Sequence, residues 1–232
     1  MKGFFENLGF FASRFNQAIV ITIELSIISL IAATIIGIIV GLVNTSKSKS
    51  VIMKLLKVIA NLYIYIIRGT PMLVQILIIY FGLGQMLRPT GFRWLNIGGT
   101  FTAGTVALSL NAGAYMAEIV RGGIEAVDKG QIEAARSLGL TYGKTMKKIV
   151  LPQALRTMLP SIINQFIISI KDTSLLSVIG LTELTNVGKT IAATQSAHMM
   201  VIYCFMACYY LFICTVLAQV SKVVEKRLSY GK

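Results

Sequence analysis

Three groups of polar residues interrupt otherwise apolar stretches of this sequence, and any chemistry has to begin from them. Glu24 lies between Thr22 and Ser26. Lys171, Asp172, Thr173 and Ser174 close another apolar run, with Asn164 more than one helical turn before them. Met72, Gln75 and Tyr80 follow a Gly69-Thr70-Pro71 break. An ionisable group surrounded by hydrocarbon costs roughly several kcal/mol unless it is paired or hydrated, so such residues mark either a pathway or a satisfied structural charge. What they offer is recognition: carboxylates accept from ammonium groups, and ammonium groups and hydroxyls donate to carboxylates. Catalysis is not indicated. No nucleophile–base set and no Gly-x-x-x-x-Gly-Lys-Ser/Thr phosphate cradle is present. Cys204, Cys208 and Cys214 share one apolar stretch without a metal-ligand spacing and read as packing residues, so no metal site is expected. His198 reads as a solvated interfacial residue, and Glu118 with Arg121 has the spacing of an ion pair within one helix.

The elements that position these residues follow from composition. Of 232 residues, 55% are hydrophobic and 13% charged, and the mean hydropathy is +0.75, far from a soluble domain. The net charge of +13 falls in clusters between apolar runs, which is the pattern of membrane topology and not of a nucleic-acid surface. Apolar runs over 18–43, 58–83, 101–120, 151–170 and 199–220 are each long enough to cross about 30 Å of hydrocarbon, which gives about five spans in one domain, 1–232. Lys47, Lys49, Lys54 and Lys57 follow the first, Arg121 to Arg156 hold seven basic residues after the third, and Lys222, Lys226, Arg227 and Lys232 follow the fifth. The opposite segments hold only Lys2 and Arg14, then Arg88 and Arg93, then Lys171 and Lys189. The amino terminus is therefore expected outside and the carboxyl terminus in the cytoplasm. A mixed segment with Phe4, Phe5 and Glu6 precedes the first run, which is too long for a signal peptide and is expected to persist. Arg68-Gly69-Thr70-Pro71 predicts a kink or break in the second run. Phe92 and Trp94 suit an interfacial anchor, and Gly37 and Gly41 close helix packing.

Between the third and fourth runs, loop 121–150 contains Gly130-Gln131-Ile132-Glu133-Ala134-Ala135-Arg136-Ser137-Leu138-Gly139 and runs on to Ile149-Val150-Leu151-Pro152. Gln131 to Leu138 is a good helix former ended by Gly139, and a second, basic helix begins at about Thr141. A short polar helix between two spans suits docking of a cytoplasmic partner, with a plain interfacial cap as the competing reading. The spacing Glu133-Ala134-Ala135, three residues, Gly139, nine residues, Ile149, one residue, Leu151-Pro152 closely resembles the EAA loop of permease subunits of bacterial ABC importers. Arg68-Gly69-Thr70-Pro71, Tyr115 to Glu118 with Arg121-Gly122-Gly123, and Lys171-Asp172-Thr173-Ser174-Leu175 are similar to the polar and basic amino-acid permeases of that class. These motifs cover most of the chain from the second span onward; the amino-terminal third matches mainly in hydropathy.

The resemblance implies an all-α integral membrane protein of type I ABC importer permease-like fold, in the bacterial plasma (inner) membrane. It implies pairing with a second copy or a paralogue, and docking of two ATP-binding subunits on Gln131, Glu133, Ala134, Ala135, Arg136, Leu138 and Gly139. Amino-acid cargo would come from an extracytoplasmic binding protein and pass by alternating access. This chain would bind no cofactor, ATP and Mg belonging to the partner subunit. A cationic cargo side chain needs a carboxylate beyond the one that takes the α-ammonium, and Glu24 could supply it, which favours arginine, lysine or histidine as cargo. A permease for polar amino acids such as glutamine is the alternative. An ion-coupled secondary carrier would explain Glu24 but not the loop spacing.

Overall fold

The computed structural model describes residues 8–229, so Lys2, Phe4, Phe5, Glu6 and Lys232 lie outside the described residues. Helix α1 (Leu8–Thr45) has 38 residues, about 57 Å at 1.5 Å per residue, well beyond the thickness of hydrocarbon. Several of its hydroxyls are satisfied from within. Thr22 Oγ1 donates to the Ala18 carbonyl at 2.9 Å, Ser26 Oγ to Thr22 at 2.7 Å and Thr34 Oγ1 to Leu30 at 2.7 Å, so these polar side chains need no water.

Helix α2 (Val51–Gly69) ends where the sequence predicts a break. Thr70 is extended at φ −123°, ψ 147°, as a residue before proline must tend to be, and Pro71 lacks the N–H that would continue the ladder. The chain resumes as α3 (Met72–Leu77), passes through a π-helical stretch Ile78–Leu83 and ends in the turn Gly84–Met86. The two arms meet at 110°, so the second run is two helices in a sharp bend instead of one kinked rod.

Helix α4 (Gly99–Glu125) is the centre of the bundle. Its length, about 40 Å for 27 residues, suffices to cross a bilayer. Gly104, Ser109, Asn111 and Gly113 hold down its hydropathy, and all four are buried against protein. The helices that are both long and apolar enough to cross are α1 and the stretches 142–179 and 196–227, with the bent pair as a fourth candidate. Packing, and not exclusion of water, joins helices in lipid, so small residues let the backbones approach. Gly41 illustrates this, since an added Cβ would lie 2.7 Å from Val120 Cγ1, and one at Gly37 would overlap Met116.

Helix α5 (Lys129–Ser137) follows α4. A turn Tyr142–Thr145 and a π-helical stretch Met146–Val150 then lead into α6 (Leu151–Asp172), where Pro152 deprives the ladder of one amide. A 3-10 segment Thr173–Ile179, the short α7 (Leu184–Thr194) and the long α8 (Met199–Ser229) complete the chain, with no strand among the described residues. One core forms where Leu25, Ile76, Leu108 and Leu176 meet, so α1, α3, α4 and the 3-10 segment share it. Another, of Val120, Ile124, Val150 and Met158, sits under α5.

Candidate substrate path and docking loop

Breaking a helix strands carbonyls that its next turn would have satisfied. Gln75 answers for them. Its Nε2 lies 2.7 Å from the Ile67 carbonyl and 3.1 Å from that of Thr70, and its Oε1 accepts from Asn111 Nδ2 at 2.9 Å. The bend is thereby fixed to the middle of α4.

Two connected cavities run along the polar face beside this bend. The first, about 500 Å3, is bordered by Arg68, Tyr115, Glu118, Asn164, Gln165 and Glu225, among others. The second, about 380 Å3, is bordered by Thr70, Met72, Asn111, Tyr115, Gln165 and Asp172, among others. Tyr115 and Gln165 border both. Glu118 forms the intrahelical pair with Arg121 at 3.0 Å that its spacing predicts, and also bridges to Arg68 at 3.1 Å. Arg121 reaches Glu125 in turn at 2.9 Å, and the Arg68 guanidinium stands 5.4 Å from the centre of the Tyr115 ring. This charge network joins the end of α2 to the stretch of α4 that leads into the docking loop.

The sequence candidates divide. Met72, Asn164 and Asp172 border these cavities. Gln75 is buried and occupied with the bend. Tyr80 packs into the apolar core, and its carbonyl accepts Trp94 Nε1 at 3.0 Å, which anchors the loop carrying Phe92 and Trp94. Glu24 stands exposed on the outer side of α1, on the stripe of Val20, Ile27, Ile28 and Ile31, away from both cavities. Thr173 is fully buried and donates to the Ile170 carbonyl at 2.6 Å, while Ser174 donates to Lys171. Lys171 and Asp172 make no salt bridge among the described residues, because adjacent residues on a helix point roughly 100° apart. Asp172 carries no hydrogen bond or ion pair among the described residues.

Arg68, Asn111, Tyr115 and Gln165 were not singled out as path residues from sequence. Glu183 was missed altogether. It is fully buried beside Tyr210 of α8 and caps α7, accepting from the Thr185 and Asn186 amides at 2.8 and 2.7 Å and from Tyr210 Oη at 3.0 Å. Burial pushes its carboxyl above the ordinary carboxylate range, and the capping hydrogen bonds oppose this.

The docking loop folds as its local sequence dictates. Asp128 caps α5 through the Gly130 amide, Gly139 takes the left-handed φ of +83° that ends it, and Leu140 N reaches back to Ala135 O at 3.1 Å. Thr141 caps the next turn. Ile132 and Ala135 face the bundle, with Ala135 only 3% exposed, so Ala135 anchors the helix and does not itself offer a docking contact. Gln131 accepts from Gln153 Nε2 at 2.6 Å. Glu133, Ala134, Arg136, Leu138 and Gly139 are exposed, Leu138 to 81%.

Comparison with known proteins is consistent across sequence and fold. The model of the family described as binding-protein-dependent transport system inner membrane component matches residues 33–230. The chain is 37% identical over 212 residues to the arginine transport system permease protein ArtQ of Bacillus subtilis (strain 168), covering 91% of each. It is 40% identical over 207 residues to the glutamine transport system permease protein GlnP of Escherichia coli (strain K12), covering 89% of each. A crystal structure of an amino acid ABC transporter with histidines superposes with a TM-score of 0.85 at 34% identity, covering 96% of this chain and 98% of that one. The inward-facing MetNI methionine ABC transporter shares the fold at a TM-score of 0.69 and 18% identity, covering 90% of this chain and 95% of that one.

Proposed function

The chain belongs to the family of binding-protein-dependent transport system inner membrane components and is an amino-acid ABC importer permease, and from that premise we propose that its cargo passes along the Tyr115–Gln165 face and is a neutral polar amino acid. The relatives carry names with arginine and with glutamine, so the side chains must decide. One observation carries the choice. Glu118 and Glu225 border the first cavity, where Glu118 is held by Arg68 and Arg121, and Asp172 is the carboxylate that borders the second, amide-lined one. A zwitterion needs one acid for its ammonium group, and a cationic side chain needs a second. Glu24, on which the expectation of a basic cargo rested, borders neither cavity. The amides of Asn111, Asn164 and Gln165 suit a side chain that both donates and accepts.

ATP hydrolysis is assigned to two partner subunits seated on Glu133, Arg136 and Leu138, with an extracytoplasmic binding protein at the far end and a second permease copy or paralogue completing the path. The meeting of Lys47, Lys57 and Lys129 at the docking-loop end supports a cytoplasmic position for that end, with the amino terminus outside. Partner closure can open the path only if the docked loop binds differently in the two states. Uptake by proteoliposomes containing the chain, its ATPase and its binding protein, assayed with glutamine and arginine, tests the cargo. Asp172→Asn should abolish glutamine uptake. Arginine transport in the parent, converted by Asp172→Asn into transport of neutral amino acids, would restore the basic cargo.

A further inference from the structure

At the docking-loop end lies a cavity separate from the polar face. It measures about 570 Å3 and is enclosed by the end of α1 and the turn after it, by α2, and by the segment from the end of α4 to Val150. Lys47, Lys57 and Lys129 border it from three different segments. Lys57 Nζ donates to the Ser46 carbonyl, which holds that side chain in place and leaves its remaining N–H donors uncommitted. Two carboxylates also border the cavity: Glu125, engaged by Arg121 at 2.9 Å, and Glu133.

A purely apolar groove of about 300 Å3 runs between α1 and α2, lined by Ile39, Val43, Leu56 and Ile59 among others. It begins next to the cationic cavity on both walls, Val43 preceding Asn44 and Leu56 preceding Lys57. Beside it, α2 exposes Val51, Ile52 and Leu55. A ligand that fills both spaces needs an anionic head and a hydrocarbon tail. We propose that the cavity seats the phosphate of an anionic lipid headgroup on Lys47, Lys57 and Lys129, with an acyl chain in the α1–α2 groove. An occupied site ties the α1–α2 turn to the start of α5 and braces the docking loop. The position of this site in the cytoplasmic leaflet rests on the topology proposed above, but lipid binding is measured without the ATPase, so either reading can fail alone.

The full-length chain in detergent is titrated with phosphatidylglycerol or phosphatidylcholine, and retained lipid is counted by native mass spectrometry. Three proteins are compared: the parent, the triple variant Lys47→Gln/Lys57→Gln/Lys129→Gln, and the triple variant Lys144→Gln/Lys147→Gln/Lys148→Gln, whose lysines do not border the cavity. Phosphatidylglycerol affinity should fall about tenfold or more in the first triple and stay near the parent value in the second. Arginine at the three cavity positions should bind like the parent, which separates lost charge from lost fold. Equal weakening in both glutamine triples, or none in the first, overturns the site. Displacement of phosphatidylglycerol by millimolar inorganic phosphate would reassign the cavity to a free anion and overturn the lipid reading.

Discussion

Apart from the Gln131–Gln153 link to α6, the hydrogen bonds of the docking loop close within a few residues, whereas the polar face is held by bonds that cross the chain. Asp128 to Gly130, Ala135 to Leu140 and Arg136 to Leu140 all stay inside α5 and its exit. Gln75 to Asn111 spans 36 positions, and Arg68 to Glu118 joins the end of α2 to α4. The loop can therefore tilt on Ile132 and Ala135 with its internal bonds intact, while any slide of α2 against α4 must break a link in the path. In the proposed scheme the first region transmits force and the second registers it.

The largest effect should come from reversing a charge on the loop. Glu133→Lys should reduce uptake to background, with substrate capture by the binding protein unchanged and the variant chain failing to co-purify with the ATPase. Full uptake in a folded Glu133→Lys protein would remove the loop from the coupling scheme. Glu118→Gln comes next, because it takes away the negative charge that Arg68 and Arg121 share. Those side chains are partly exposed, so the loss is about 1–2 kcal/mol, below that of a buried pair. Uptake should fall about tenfold while the ATPase still co-purifies. An equal loss of ATPase association would erase the distinction between the two regions.

Gln75→Leu should act on stability more than on coupling. It leaves the Ile67 and Thr70 carbonyls and the Asn111 amide without a partner, at about 1–3 kcal/mol, read as an earlier thermal transition with uptake reduced only in proportion to folded protein. A temperature profile unchanged from the parent would mean that the bend holds without Gln75.

The same contrast explains what was legible in the sequence. The end of α5 at Gly139, the helical turn beginning at Thr141, the break at Thr70-Pro71 and the close packing at Gly41 all follow from local rules, and all are present, whereas α5 starts at Lys129, two residues before the expected Gln131. The 110° of the bend does not follow, because proline dictates that a helix stops but not where the next one goes. Helix α1 is apolar nearly all round, so no periodicity says which side Glu24 occupies, and it lies on the outer one. Helix α4 reads as a span of modest hydropathy, and only its burial by neighbours shows why Asn111 is affordable there. Asp172 and Lys171 are adjacent in sequence, but helix geometry separates them. Glu183 escaped because it lies between apolar runs, where an acid attracts no notice until α1, α7 and α8 close over it.

Glu183 and Asp128 make the comparison sharpest, since both cap helices with a carboxylate, one buried among three helices and one exposed on the loop. Burial raises the folded-state pKa of Glu183 above the unfolded value of about 4.3. A raised carboxyl binds its proton more tightly in the native state, so it favours folding at low pH, and that contribution is lost as pH rises through the folded value. Thermal unfolding followed by Trp94 fluorescence should show the parent losing stability relative to Glu183→Gln as pH rises above the unfolded value of about 4.3. Asp128→Asn should cost at most a few tenths of a kcal/mol, because asparagine caps about as well as aspartate and the residue is exposed. Equal pH dependence in the parent and Glu183→Gln would mean that the hydrogen bonds from the Thr185 and Asn186 amides cancel the effect of burial on this carboxyl.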